Sequence, residues 1–300
     1  MAANNQYKNS VFSFLFSDPA VLRELCGALS GVELAEDVPI VINTLENILY
    51  KNRQNDISFT VGGKVVVLIE HQSTINPNMP LRILEYIAEI FKLYTAHQNI
   101  YGTKLIQIPW PEFFVFYNGT APYPEEETLK LSDAFFNSGA FGFGLEPPPN
   151  LELIVKVYNI NYQKNERLMR NCETLRGYSI FIHKVREFES KDQTGKTISG
   201  AERISAMQEA VTWCIENGVL KGFLKEHSSE VINMLYEEWD IDKFGSMQRE
   251  EGIEIGREEG IEIGEKKDVK NLREYGMTAE QIALALKLPL ETVTLYLSQA

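Results

Sequence analysis

Cysteine is scarce in this chain. Cys26, Cys172 and Cys214 are odd in number and widely spaced. They make neither a disulfide framework nor a zinc-ligand spacing, so a reducing, cytoplasmic setting is expected. Long apolar runs are also missing. No stretch approaches the ~18 apolar residues that span a bilayer, so no membrane partner is expected. The opening MAANNQYKNS has no basic segment followed by an apolar core, and no signal peptide is expected from it. Positive charge is in deficit, with a net −13 over 300 residues. That argues against nucleic-acid binding by overall attraction, though not against a local basic groove or a cation that supplies charge where phosphate must sit. What is abundant is ordinary: 44% hydrophobic and 24% charged residues, enough for one large domain or two smaller ones.

One stretch, NDISFTVGGKVVVLIEHQS (55–73), organises the rest. Ile57, Phe59 and Val61 alternate with Ser58 and Thr60. Gly62-Gly63 interrupts, and Val65 to Ile69 follows as a run of β-formers, so the segment reads as a β-hairpin. Asp56 stands at the open end of the first strand, with Glu70 and Gln72 at that of the second. Residues two apart share a face, so Glu70 and Gln72 project together. Register decides where Asp56 goes. A two-residue turn sets Asn55 opposite Glu70; a three-residue connection through Lys64 sets Asp56 there, ~4.5–5.5 Å away at Cβ. Two carboxylates that close, ending a strand that reads as buried, outline a divalent-cation site. The bland alternative is two solvated strand ends. If the acids crowd each other, replacing Glu70 by Gln should leave metal-free stability unchanged or slightly raised.

The rest of the chain reads as follows. Residues 7–29 make two amphipathic helices divided at Asp18-Pro19. Residues 38–50 alternate as a first strand. After a Pro/Asn loop, Pro80 opens a helix to about Gln98, with Leu81, Leu84, Ile87, Ala88, Phe91 and Leu93 or Tyr94 as its apolar face. Arg82 sits in its first turn, near Gln72 in sequence. FFVFY (113–117) is a buried strand, joined to the hairpin by a right-handed crossover if the two are parallel neighbours. Residues 125–150 look loop-like, and 151–160 make the last strand. Beyond Asn165 the pattern is helical, with one long helix open to a break at Gly177, then helices at 200–217 and 219–237. EGIEIGREEGIEIGE (251–265) repeats after eight residues, with a glycine every fourth. It is either a solvated linker helix or a helix that pairs with a second copy. Residues 268–297 have the rhythm of a helix-turn-helix, with Thr278 and Gln281 as a capping box. The expected fold class is thus α/β: a mixed sheet flanked by helices over residues 1–162, a helical extension over 163–245, the repeat over 246–267 and a small helical module over 268–300.

YKNSVFSFLFSD, TLENILY, NDISFTV, LIEHQSTINPNMPLRILEYIAEI, FFVFYNGT and LKLSDAF occur in the order seen in the recombination-promoting nuclease / putative transposase family, and the chain resembles that family over residues 7–240 and, through the Gly/Glu repeat, over much of the tail. The resemblance implies a restriction-endonuclease-like core of the PD-(D/E)XK superfamily and DNA cleavage dependent on Mg²⁺ or Mn²⁺, in recombination or transposition. Carried over by position, Asp56 is the first acid of the motif, Glu70 the second, and Gln72 stands where the pattern has lysine. Asn55 replaces the proline, and Asn9 stands near where the pattern has a further acid. Asp56, Glu70 and the main-chain carbonyl of His71 are then the expected metal ligands, with Gln72 orienting water. The His71 side chain, on the opposite face, is expected to pack. Lys8 and Arg82 are candidates for phosphate contact. DNA is the expected partner, and a homodimer through the repeat helix the expected assembly. The neutral Gln72 and Asn9 motivate the alternative, a nuclease fold kept as a DNA-binding or assembly module with weak or no catalysis.

Overall fold

A computed structural model describes residues 10–43, 57–136, 149–190 and 199–298, with backbone alone over 238–259 and 261–262. The chain divides into two compact units, Met1–Tyr236 and Glu237–Ala300.

The first unit opens with α1 (Val11–Leu15) and α2 (Pro19–Ser30). Ser10 caps α1 by accepting from the Ser13 amide, and Asp18 caps α2 from just before Pro19. Each cap satisfies an amide that the helix leaves without a partner, which is why the division falls at Asp18-Pro19. The sheet has six strands in the order β1-β2-β3-β4-β6-β5. They are β1 (Ile40–Ile42), β2 (Ile57–Val61), β3 (Val65–Gln72), β4 (Trp110–Tyr117), β5 (Glu126–Lys130) and β6 (Ile154–Asn159). β3, β4 and β6 are parallel; β1, β2 and β5 run antiparallel to their neighbours. The crossover from β3 to β4 carries α3 (Met79–Tyr94).

Two apolar layers sandwich the sheet. Val66 and Leu68 of β3, with Phe113 and Val115 of β4, meet Met79, Ile83, Tyr86, Ile87 and Ile90 of α3. On the other face, Val67, Ile69, Phe114 and Phe116 meet Phe12, Leu22 and Leu25 of the first two helices. Further along that layer are α4 (Glu166–Asn171), α5 (Glu173–Glu189) and α6 (Gly200–Glu216). Burial on both faces explains why β3 reads as an unbroken apolar run rather than an alternating one.

Several boundaries differ from the sequence reading. Residues 125–150 include β5, whose EETLK is exposed on four of five positions and so carries little hydrophobic signal. The break in the long helix falls at Cys172, whose backbone is extended, and Gly177 lies inside α5 against the Leu220 side chain. The buried stripe of α3 is Met79, Ile83, Tyr86, Ile87 and Ile90, while Leu81 and Leu93 are half exposed. The helix starts at Met79, which is itself fully buried, and that contact rotates the inward face away from Leu81. β1 is limited to three residues, and 44–56 lie outside the described residues. No described helix is long and apolar enough to cross a membrane. All three cysteines are buried, and burial pushes each thiol up to about 12.

Helix α7 (Lys221–Glu274) leaves helical geometry at His227. The 251–265 repeat is helical along this element, but the packing of most of its side chains lies outside the described residues. In the second unit, α8 (Ala279–Leu286) and α9 (Leu290–Ser298) close on Val269 through Ile282 and Val293. The Thr278–Gln281 capping box is formed.

One glycine bears on the site end of the sheet. A Cβ on Gly119, just past β4, would lie 2.0 Å from the Ser73 carbonyl oxygen and 2.5 Å from the Tyr117 hydroxyl. Backbone cannot yield as a side chain does. Gly119→Ala should therefore cost about 3 kcal/mol in urea denaturation. Gly218→Ala, with nothing within 4 Å of its Cβ and only a φ of +79° to oppose it, should cost about 1 kcal/mol.

Candidate functional site

The β2–β3 hairpin turns through Gly62, Gly63 and Lys64, with Val61 paired to Val65. Both glycines take positive φ, +56° and +65°, and the Lys64 amide donates to the Val61 carbonyl at 3.0 Å. The connection therefore has three residues, the length that the facing of Asp56 and Glu70 requires. The ladder runs from that turn to Ile57↔Ile69. Glu70 is bonded to Ile69, and Asp56 to Ile57. Asp56 itself lies outside the described residues, as do Lys8 and Asn9.

Glu70 is 3% exposed and sits beside Val115 of β4. Its Oε2 accepts from Nη2 of Arg82 at 3.0 Å. Arg82 comes from the first turn of α3, on the sheet face that Leu68, Glu70 and Gln72 share. Its Nη2 also donates to the Tyr86 hydroxyl at 3.2 Å, one turn along the helix. Sulfur completes the cluster. The Met79 Sδ lies 3.4 Å from Arg82 Nη1 and 2.7 Å from Gln72 Nε2. The structure thus brings together Glu70, Gln72 and Arg82 of the residues singled out from sequence.

Sequence reasoning missed the polar strip on the β2 side of this face. Ser58, paired with Leu68, is 4% exposed. Asn43 donates from Nδ2 to Ser58 Oγ at 3.0 Å and accepts at Oδ1 from Thr60 Oγ1 at 2.9 Å. The signal was the alternation of Ser58 and Thr60 with apolar neighbours, which equally fits a solvated face. Tyr86 and Met79 were also missed; both are helical neighbours of Arg82, at i+4 and i−3.

His71 faces the opposite way. Its ring stacks on Phe12 at 4.7 Å and lies 3.1 Å from the Tyr178 hydroxyl. Burial, with a smaller contribution from the nearby Arg186 charge, lowers its pKa to about 3. It is a neutral packing residue, as strand alternation implies. Its main-chain carbonyl is placed differently from its ring. The carbonyls of Lys64 and Gln72 accept from β4, at the amides of Trp110 and Asn118. Carbonyls alternate along a strand, so that of His71 points to the β2 edge, where the described ladder has already ended.

Past the C-terminal ends of β4 and β6, Arg186 of α5 donates to Asn161 Oδ1 at 2.8 Å and to the Asn118 carbonyl. Asn161 donates in turn to the Gly119 carbonyl at 3.0 Å. This network fixes the loop that abuts Ser73, one residue beyond Gln72.

Two outcomes follow. Because Glu70 holds Arg82, the expectation of unchanged stability is replaced. Glu70→Gln should destabilise the metal-free protein by about 1–3 kcal/mol in thermal or urea unfolding. His71 is depressed when folded and normal when unfolded, so the unfolded state binds the extra proton as pH falls below about 6.5. Its contribution is complete above that value and is lost toward pH 3. His71→Phe should flatten the stability profile across that window, in urea unfolding at a series of pH values.

The comparisons with known proteins bear on the same segment. A family model described as "Putative transposase, YhgA-like" matches residues 45–162. No curated protein and no solved structure matches the chain. The matched segment carries β2 to β6, α3, Glu70, Gln72, Arg82 and Tyr86. Over residues 45–162 this chain is therefore similar to the YhgA-like putative transposase family.

Proposed function

We propose that this chain is a metal-dependent DNA endonuclease acting in recombination or transposition. The observation that carries the reading is a buried carboxylate, Glu70, beside the open end of a hairpin whose register reaches Ile57↔Ile69. The family match agrees with an enzyme that acts on DNA.

The donors suit a hard cation. Asp56, Glu70, the Gln72 amide and the His71 main-chain carbonyl offer oxygen only. Among the described residues no three His, Cys, Asp or Glu side chains gather. Mg²⁺ commonly takes one or two carboxylates and keeps several waters, so two acids are enough, whereas zinc sites favour nitrogen and sulfur. A bound Mg²⁺ or Mn²⁺ supplies neutralisation of phosphoryl charge and a more acidic water. Asp56 and Glu70 hold the cation, the Gln72 side chain orients water, and Arg82, with Lys8 as a second candidate, meets phosphate. The surrounding sheet and α3 exclude bulk water from one side of Glu70.

The second reading keeps the nuclease fold as a DNA-binding or assembly module. One observation favours it: the Gln72 amide nitrogen is engaged by Met79 Sδ, and Gln72 carries no charge where the family pattern has lysine. A nicking assay on supercoiled plasmid separates the two. The endonuclease reading expects relaxation or linearisation with Mg²⁺ or Mn²⁺, and none with Asp56→Ala or with chelator. Cleavage that persists in both controls would overturn it, and binding without cleavage would favour the module.

A dimer through the Gly/Glu repeat belongs to the same proposal, since recombination enzymes act on two strands or two ends. Full-length protein should sediment as a dimer, and a chain lacking residues 246–300 as a folded monomer. A dimeric truncation would move the interface elsewhere.

A further inference from the structure

The two members of the Glu70–Arg82 pair are unequally placed. The Glu70 side chain is 4% exposed, on a strand with neighbours on both sides. The Arg82 side chain is 28% exposed, in the first turn of a helix. One partner is fixed by the sheet. The other is a long side chain that reaches in from solvent and is tethered by the Tyr86 hydroxyl and the Met79 sulfur. If either lets go, it is Arg82.

A guanidinium and a divalent cation cannot both sit on one buried carboxylate without repelling each other. We propose that Arg82 is an exchangeable counter-ion: it holds Glu70 in the metal-free protein, yields that carboxylate to the cation, and turns outward to the DNA phosphate. This rests on the endonuclease reading and adds to it an order of binding and a regulatory role for one residue. Released at the solvent edge, a guanidinium is well suited to phosphate, with a rigid fork that matches its oxygens and no loss of charge at any working pH. The exchange also keeps the buried Glu70 charge matched throughout, by Arg82 before the cation arrives and by the cation afterwards. Metal and DNA then favour each other. A phosphate that captures Arg82 removes the competitor for Glu70, and a cation on Glu70 frees Arg82 for phosphate; the coupling is reciprocal.

The test is Mn²⁺ binding to metal-free full-length protein by calorimetry, without DNA. Arg82→Met should bind Mn²⁺ about 10-fold more tightly than wild type, since the competing cation is gone. Arg82→Lys should stay near wild type, and Glu70→Gln should lose the site. Binding of a short duplex by Ca²⁺-loaded protein should weaken about 10-fold in Arg82→Met and recover in Arg82→Lys. If Arg82→Met binds Mn²⁺ no more tightly while Glu70→Gln abolishes binding, the exchange is wrong and the metal site stands. If Mn²⁺ binding is indifferent to Glu70, both the exchange and the endonuclease reading fall. Should Arg82→Met not fold, the wild-type protein answers. In ¹⁵N spectra of its arginine side chains, with Arg82 assigned through Arg82→Lys, saturating Mg²⁺ should speed exchange of the Arg82 guanidinium protons with water. An Arg82 signal unmoved by Mg²⁺ would overturn the proposal.

Discussion

The Glu70 carboxylate is buried beside β4 and faces the first turn of α3, and a charge in that place needs a cation within reach. Much of the local architecture meets that need. β3 fixes the acid, and α3 begins close enough to β3 for Arg82 to reach it at 3.0 Å. Tyr86 and Met79, both on the buried side of α3, hold the guanidinium and the Gln72 amide in turn. A buried ion pair of this kind contributes little net stability, because desolvation offsets most of the attraction. Its presence beside a largely apolar layer points to use, and the use proposed here is to keep a cation-binding carboxylate charged and ready.

The hairpin supplies the second constraint. Side chains alternate with a period of two, so a change of one residue in the connection would reverse which side chains of β2 share the face of Glu70. Gly62 and Gly63 take the positive φ values that a tight reversal demands, and Lys64 adds the third residue. The same alternation separates the two chemistries of the EHQ segment. Glu70 and Gln72 meet α3, while His71 is driven into the aromatic layer of Phe12 and Tyr178 and kept neutral there. Three consecutive residues thus serve a polar cluster and an apolar core at once.

Much of this was legible in the sequence, for reasons that can be named. The hairpin was visible because glycines interrupt an apolar run, and the two-helix start because Asp18-Pro19 is both a cap and a first-turn proline. The inward His71 followed from period two alone. Arg82 was placed near the acids by sequence proximity, but its direct hold on Glu70 was not foreseen, because a pattern shows spacing and not which partner a side chain selects. β5 was invisible because it is an exposed edge strand made of Glu, Thr and Lys. The face of α3 was only partly foreseen: Ile87 is buried and Leu84 and Phe91 pack against the core, but Leu81 and Leu93 turn outward, and the anchoring of Met79 against the sheet decides it. Asn43 and Ser58 form a polar strip whose members are 15 residues apart, beyond any local signal.

The proposed cation site is shared by Asp56 and Glu70 at the open end of the hairpin. Anomalous diffraction from crystals grown with Mn²⁺ tests it most directly, because the scattering locates the ion independently of any assay. A single strong peak is expected between the two carboxylates, with Arg82 turned away from Glu70. A crystal saturated with Mn²⁺ in which Glu70 still holds Arg82, and no ion lies beside it, would contradict it.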